Sequence, residues 1–178
     1  MKKVLLSALA LVVFGFTNAQ EEKAEGGQTS KGKWLIEANT GNALLGNTSF
    51  YYTSTDVYSG YNLGLDGGYF IMDDLALKGG FGYGRTKFDG ADAISTISYR
   101  LGAKYYIKSM IPVTLDVTGA SVKNALENPL WLGVGAGYAW FLGENVSLEP
   151  GVRYNHSLNE DYTDKGAFQF NIGFALHF

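Results

Sequence analysis

From residue 34 to the end of the chain, apolar side chains recur at every second position in eight separate runs. Trp34, Ile36, Ala38 and Thr40 make the first, Tyr61, Leu63, Leu65 and Tyr69 the second, and Leu75, Leu77, Phe81 and Tyr83 the third. Ile97, Tyr99, Leu101, Ala103 and Tyr105 form the fourth, and Val113, Leu115 and Val117 a weaker fifth. The sixth is Leu130, Leu132, Val134, Ala136, Tyr138 and Trp140, and the seventh Val146, Leu148, Pro150, Val152 and Tyr154. Phe168, Phe170, Ile172, Phe174, Leu176 and Phe178 close the series. Period two marks an extended strand with one apolar face. No amphipathic helical stretch of useful length interrupts it. Pro150 lacks an N–H, which predicts a bulge in the seventh strand.

The opposite face decides which way the oily side points. It carries Glu37, Asp66, Lys78, Arg100, Lys104, Asp116, Glu149 and Arg153, interleaved with Gly64, Gly68, Gly80, Gly82, Gly102, Gly133, Gly135 and Gly137. A secreted sandwich or lipocalin-like barrel would need an apolar interior. A charged, glycine-rich interior under an oily exterior implies that the surrounding solvent is lipid, where an unpaired strand edge is too costly and the sheet must close. Strands of about 9 to 11 residues are what a tilted strand needs to cross a bilayer. The connections alternate: residues 42–58, 86–93, 121–128 and 157–165 are long, while 71–74, 107–111 and 142–145 are tight. The expected fold class is all-β, a transmembrane antiparallel up-and-down β-barrel of eight strands.

Lys2 and Lys3 precede an apolar run from Val4 to Phe16, and Thr17 and Ala19 stand at the minus-three and minus-one positions of a cleavage site. The run is shorter than the about 20 residues a spanning helix requires, so residues 1–19 read as a signal peptide. Residues 20–30 read as a flexible periplasmic tail and 31–178 as the outer-membrane barrel domain. Delivery through the inner membrane puts the tight turns and both termini in the periplasm and the long loops outside. With no cysteine among 178 residues, disulfides, thiolate metal sites and a lipidated N-terminal cysteine are excluded. A net charge of −3, more negative once Lys2 and Lys3 are removed, speaks against a nucleic-acid partner.

Aromatic residues gather at strand ends. Trp34, Tyr69, Tyr105, Trp140 and Phe178, with Phe70, Tyr106 and Phe141 beside them, form an expected periplasmic girdle. Tyr61, Tyr83, Tyr99, Trp131 and Tyr154 supply the opposite one.

The signal peptide, the eight alternating strands and the aromatic terminal strand ending in Phe178 resemble the small eight-stranded outer-membrane β-barrel family of OmpX and the barrel domain of OmpA, over roughly residues 31–178. The resemblance implies that Phe168, Phe170, Phe174, Leu176 and Phe178 are a recognition signal for the barrel assembly machinery during biogenesis. The chain stops at Phe178, so the peptidoglycan-binding domain that follows some such barrels is not expected.

Eight strands leave an interior that side chains fill. Four acidic and four basic lumen residues sum to zero, and buried charges must pair, so a plugged lumen is expected. The alternative is a narrow ion or small-solute channel along the same residues. A third reading, an outer-membrane acyltransferase or protease, would draw on His156 and Ser157 with Glu160 and Asp161 nearby. Adjacent strand positions face opposite ways, so His156 and Ser157 are not expected to meet, and no enzymatic activity is expected. His177 falls on the lumen face as a structural residue. The runs GFGYG (80–84) and GVGAG (133–137) place glycine on one strand face rather than in a nucleotide-binding turn, and make room for long lumen side chains. No metal or cofactor is expected. The triplets at Asn47, Asn145 and Asn155 are read as chance rather than as glycosylation sites.

The longest loop, NALLGNTSFYYTSTDVYSG, carries Phe50, Tyr51, Tyr52 and Tyr58 among hydroxyl residues, a composition suited to recognition. Arg85 and Lys87 at the outer rim are candidate contacts for lipopolysaccharide. The expected partners are outer-membrane lipid, lipopolysaccharide, the assembly machinery and an outer-membrane protein partner. The expected role is structural or surface-interacting: adhesion, envelope integrity or an accessory subunit.

Overall fold

The computed structural model describes residues 27–178, so the expected signal peptide and residues 20–26 lie outside the described residues. Ten strands follow in order: β1 (Trp34–Asn39), β2 (Tyr51–Ser54), β3 (Tyr58–Met72), β4 (Leu75–Phe88), β5 (Ile94–Ile107), β6 (Ile111–Val122), β7 (Leu130–Gly137), β8 (Trp140–Phe141), β9 (Val146–Ser157) and β10 (Ala167–His177). Pairing between them is antiparallel throughout, and β1 bonds to both β3 and β10, which closes the ring. β7 and β8 are one barrel strand with a gap, and β2 lies outside the ring as an extension beside β3. The closed barrel therefore has eight strands, one for each period-two run. Phe178 completes the seam: its carbonyl accepts from the Trp34 N–H at 2.6 Å, and its own N–H donates to the Trp34 carbonyl at 3.0 Å.

Leu63, Leu65, Leu77, Phe81, Leu101, Phe168 and Phe170 are exposed on the outer wall, while Glu37, Asp66, Lys78, Arg100, Lys104, Asp116, Glu149 and Arg153 are buried within. The weak fifth run is a full strand: β6 pairs over its whole length with β5, because Thr114, Asp116 and Thr118 supply a lumen face as regular as the outer one. The bulge expected at Pro150 is absent. The β9 register against β7 continues unchanged into β8, and only the ladder breaks, at Tyr138 and Ala139. Tyr138 donates to the Pro150 carbonyl at 3.0 Å, but the reciprocal bond of that pair needs the N–H that proline lacks. Ala139 donates across to the Met110 carbonyl at 2.7 Å instead. The irregularity in β3 lies between Phe70 and Met72, beside the β3–β4 turn.

The start of β1, the end of β10 and the three short turns share one end of the barrel. There Trp34 and Tyr69 lie opposite each other on the outer wall with ring centroids 5.0 Å apart, and Trp140 and Phe178 are exposed beside the same rim. Tyr105 is half-buried. Phe70, Tyr106 and Phe141 do not join this girdle, since each follows an outward aromatic and so points inward. Trp131 leaves the opposite girdle because it shares the inward face of β7 with Gly133 and Gly135, and it is 2% exposed. Of the expected tail, Thr29 is buried, its carbonyl accepting from the Asp74 N–H at 2.8 Å; just beyond the tail, Lys31 donates its N–H to the Asp73 carboxylate at 2.9 Å.

Candidate functional site

The lumen is filled in three tiers. At the short-turn end Leu35, Phe70, Ala76, Tyr106, Ala139 and Ala175 form an apolar cluster, with Phe141 packed against it. The His177 ring lies among them, 5.4 Å from Phe141 and 6.1 Å from Phe70 between centroids, and its Nε2 is 3.0 Å from the Ser147 hydroxyl.

Above this cluster the eight charged residues join into one chain of alternating sign. Glu149 pairs with Lys104, and Lys104 reaches Glu37 at 2.6 Å. Glu37 holds Lys78 at 2.9 Å, and Lys78 lies 3.3 Å from Asp66. Asp66 holds Arg100 at 2.6 Å, the Arg100 Nε is 3.8 Å from Asp116, and Asp116 binds the Arg153 guanidinium through both oxygens. Neighbouring groups add hydrogen bonds to Glu37 and Glu149. Asn39 donates to Glu37 at 2.7 Å, while Tyr106 and Ser147 donate to Glu149 at 2.9 and 2.8 Å. Burying one such ion is costly, and only pairing with further hydrogen bonds offsets it.

The strands make room for this chain with glycine. Asp66 lies opposite Gly80, Lys78 opposite Gly68 and Gly102, Asp116 opposite Gly102 and Gly133, and Arg153 opposite Gly135. A methyl group on Gly80 would collide with the Asp66 carboxylate, and one on Gly133 with the Arg153 guanidinium.

The third tier was not foreseen. Residues 41–49 turn into the barrel instead of standing clear as loop. Asn42 caps a single 3-10 turn, Ala43–Leu45, by accepting the Leu44 N–H at 2.9 Å, and Gly46 ends it in the left-handed region at φ 83°. Asn47, Thr48 and Ser49 are buried. Trp131 Nε1 donates to the Leu44 carbonyl at 3.1 Å, and the amides of Asn155 and Gln169 both donate to the Leu45 carbonyl at 2.6 Å. Arg100 donates to Asn47 and to the Gly46 carbonyl, Thr48 donates to Asp66, and Asn62 donates to the Ser49 carbonyl. A cavity of about 50 Å³ remains beside the ion-pair chain, lined by Glu37, Lys78, Lys104, Arg153, Thr114 and Asn171 among others. It has room for about three or four waters.

Sequence reasoning therefore missed Asn47, Thr48, Asn62, Trp131, Asn155 and Gln169 as lumen groups. A signal was present in Asn-Ala-Leu-Leu-Gly, a helix-capping pattern in the middle of a supposed open loop. The second half of that loop does project: Phe50 is 56% and Tyr52 74% exposed, while Tyr51 and Tyr58 are half-buried. Tyr58 stacks on Phe88 with centroids 5.6 Å apart. Arg85 and Lys87 are exposed on β4 near the same rim. His156 is half-buried and Ser157 buried, its hydroxyl donating to the Asn159 carbonyl at 3.0 Å. Phe168, Phe170, Phe174, Leu176 and Phe178 are all exposed on the outer wall.

The sequence matches no family model and no curated protein. Among solved structures, the chain resembles the N-terminal β-barrel domain of Pseudomonas aeruginosa OprF at 18% identity, covering 83% of this chain and 98% of that one with a TM-score of 0.50. It also resembles the Yersinia pestis outer membrane protein Ail, solved in a phospholipid bilayer nanodisc, at 15% identity over 83% of this chain and 100% of that one, again with a TM-score of 0.50. The fold is that of the small eight-stranded outer-membrane barrels. Within that fold, the ion-pair chain and residues 41–49 of this chain lie inside the barrel.

Proposed function

We propose that this chain is an integral protein of the bacterial outer membrane, with its termini in the periplasm, that passes no solute and acts through the surface it presents beyond the bilayer. The observation that carries this reading is the filled lumen: paired charges and residues 41–49 occupy the interior, which leaves the outer wall and the projecting hairpin as the surfaces free to act. An apolar outer wall with aromatic residues at the rim suits a bilayer, the setting in which Ail was solved. The aromatic hairpin of Phe50, Tyr51, Tyr52 and Tyr58 is the recognition surface, in adhesion or as an accessory subunit, and Arg85 and Lys87 meet anionic lipid headgroups. No catalytic step is assigned, since His156 and Ser157 occupy opposite faces of β9.

Replacing Phe50, Tyr51, Tyr52 and Tyr58 together by serine tests the surface role. The barrel should still fold, as judged by its resistance to SDS before heating, because none of the four belongs to the three packed tiers: Phe50 and Tyr52 are exposed, and Tyr51 and Tyr58, on the face that Asn62 shares, are half-buried at the rim. Adherence of cells displaying the variant should fall to the level of cells without the protein. Unchanged adherence at equal surface abundance would remove the hairpin from the proposal.

A further inference from the structure

We propose that the loop-end half of the lumen is a binding site for a polypeptide turn, which residues 41–49 occupy in cis. Side chains from five strands meet there, and what they hold is backbone. Asn62 from β3, Arg100 from β5, Trp131 from β7, Asn155 from β9 and Gln169 from β10 donate to the carbonyls of Leu44, Leu45, Gly46 and Ser49. The side chains of Ala43, Leu44 and Leu45 accept and donate nothing, and Leu44 is exposed. A site that holds the successive carbonyls of a 3-10 turn takes a peptide by its main chain, with side-chain donors rather than a sheet edge.

Two features make it a shaped site. Gly64 in β3 is a recess: a Cβ there would stand 2.9 Å from the backbone of Thr48 and Ser49, so the wall has been cut back to admit the segment. Gly46 is its counterpart in the occupant, where a Cβ would stand 2.8 Å from the Thr118 hydroxyl and 3.0 Å from the Trp131 ring. Its φ of 83° adds a conformation that other residues rarely adopt. The site therefore selects glycine at that one place, followed by Asn47, which meets Arg100, and Thr48, which meets Asp66. The partner it fits is a polypeptide presenting Gly-Asn-Thr or its like after a small buried residue, one exposed position and one half-buried apolar position, as Ala43, Leu44 and Leu45 are.

The segment is also hung so that the site can be emptied without opening the barrel. Asn39 and Ser49 are bridged, and the Phe50 N–H donates to the Asn39 carbonyl at 2.7 Å, so the inserted residues leave and return through a closed neck. Removing residues 41–48 brings together chain ends that are already adjacent.

The test uses the full chain lacking residues 41–48, refolded in detergent micelles, with Trp34→Phe and Trp140→Phe so that Trp131 is the sole tryptophan. The probe is a synthetic nonapeptide with the sequence of residues 41–49. The expected result is a saturable change in Trp131 emission, with a peptide carrying valine in place of Gly46 binding about tenfold or more weakly, since overpacking has no room to relax there. No saturable change in a folded barrel, or an equal one with a scrambled peptide, would overturn the proposal. Should the shortened chain fail to fold, Gly46→Val in the same two-phenylalanine background replaces it. That variant should expose Trp131 to iodide quenching, and added nonapeptide should restore the shielding; undiminished shielding before peptide is added would overturn the proposal equally. Conductance of the intact barrel leaves this result untouched, so the binding site and the closed lumen stand or fall separately.

Discussion

Asp66→Ala is expected to destabilise the folded barrel by about 3–5 kcal/mol, the usual cost of removing one partner from a buried ion network. Asp66 is the carboxylate that joins the ion-pair chain to the inserted segment: it holds Arg100 at 2.6 Å, lies 3.3 Å from Lys78 and accepts the Thr48 hydroxyl. Its loss leaves Arg100 with Asp116 at 3.8 Å as its nearest carboxylate, and Lys78 with Glu37 alone. Asp66→Asn should recover only part of the loss, because an amide still meets Thr48 but no longer neutralises two bases. Combining Asp66→Ala with Arg100→Ala should cost less than the two single changes added together, by about 1–3 kcal/mol. Urea titration in phospholipid vesicles, followed by tryptophan emission, measures all four chains. A change within about 0.5 kcal/mol for Asp66→Ala, the size of an ordinary surface substitution, would mean that water already solvates these charges.

Gly102→Val should be more severe still and leave little folded protein. Gly102 lies between Lys78 on β4 and Asp116 on β6, and a Cβ there would stand 2.6 Å from the Asp116 Cα and also meet the Leu115 carbonyl. Backbone cannot swing aside as a side-chain tip does, so the β5–β6 ladder itself must move. The comparison is Gly79→Val on the outer wall of β4, where the nearest atom to a new Cβ is the Arg100 carbonyl at 3.9 Å. That chain should fold normally, because valine suits a strand and faces outward. The readout is the fraction that migrates as compact barrel on an unheated gel. Equal yields for the two variants would mean that lumen glycines are not there to make room.

Much of this was legible because period two is a local property. Eight runs of alternating residues became eight barrel strands, and the four acids and four bases between them all face inward. Parity also carried information that aromatic clustering obscured: if Tyr69, Tyr105 and Trp140 face out, then Phe70, Tyr106 and Phe141 face in. The aromatic floor of the lumen follows from that alone. Pro150 shows the converse, a correct local fact with an overstated consequence. Its missing N–H removes one ladder bond, and the extended backbone on either side keeps the register.

The inserted segment was harder to read for a different reason. Period two stops at Thr40, and what pulls residues 41–49 inward is distant in sequence. Asn155 and Gln169 meet the Leu45 carbonyl from 110 and 124 residues away. Amides on a strand's inner face look alike whether they point at water or at a carbonyl, so only closure of the ring showed what they hold.

Planar-bilayer recording of the purified, folded chain tests the closed lumen most directly. With the aromatic floor, the ion-pair chain and the inserted segment in place, the expected trace is a flat baseline at every holding potential. Sustained, discrete openings would contradict it.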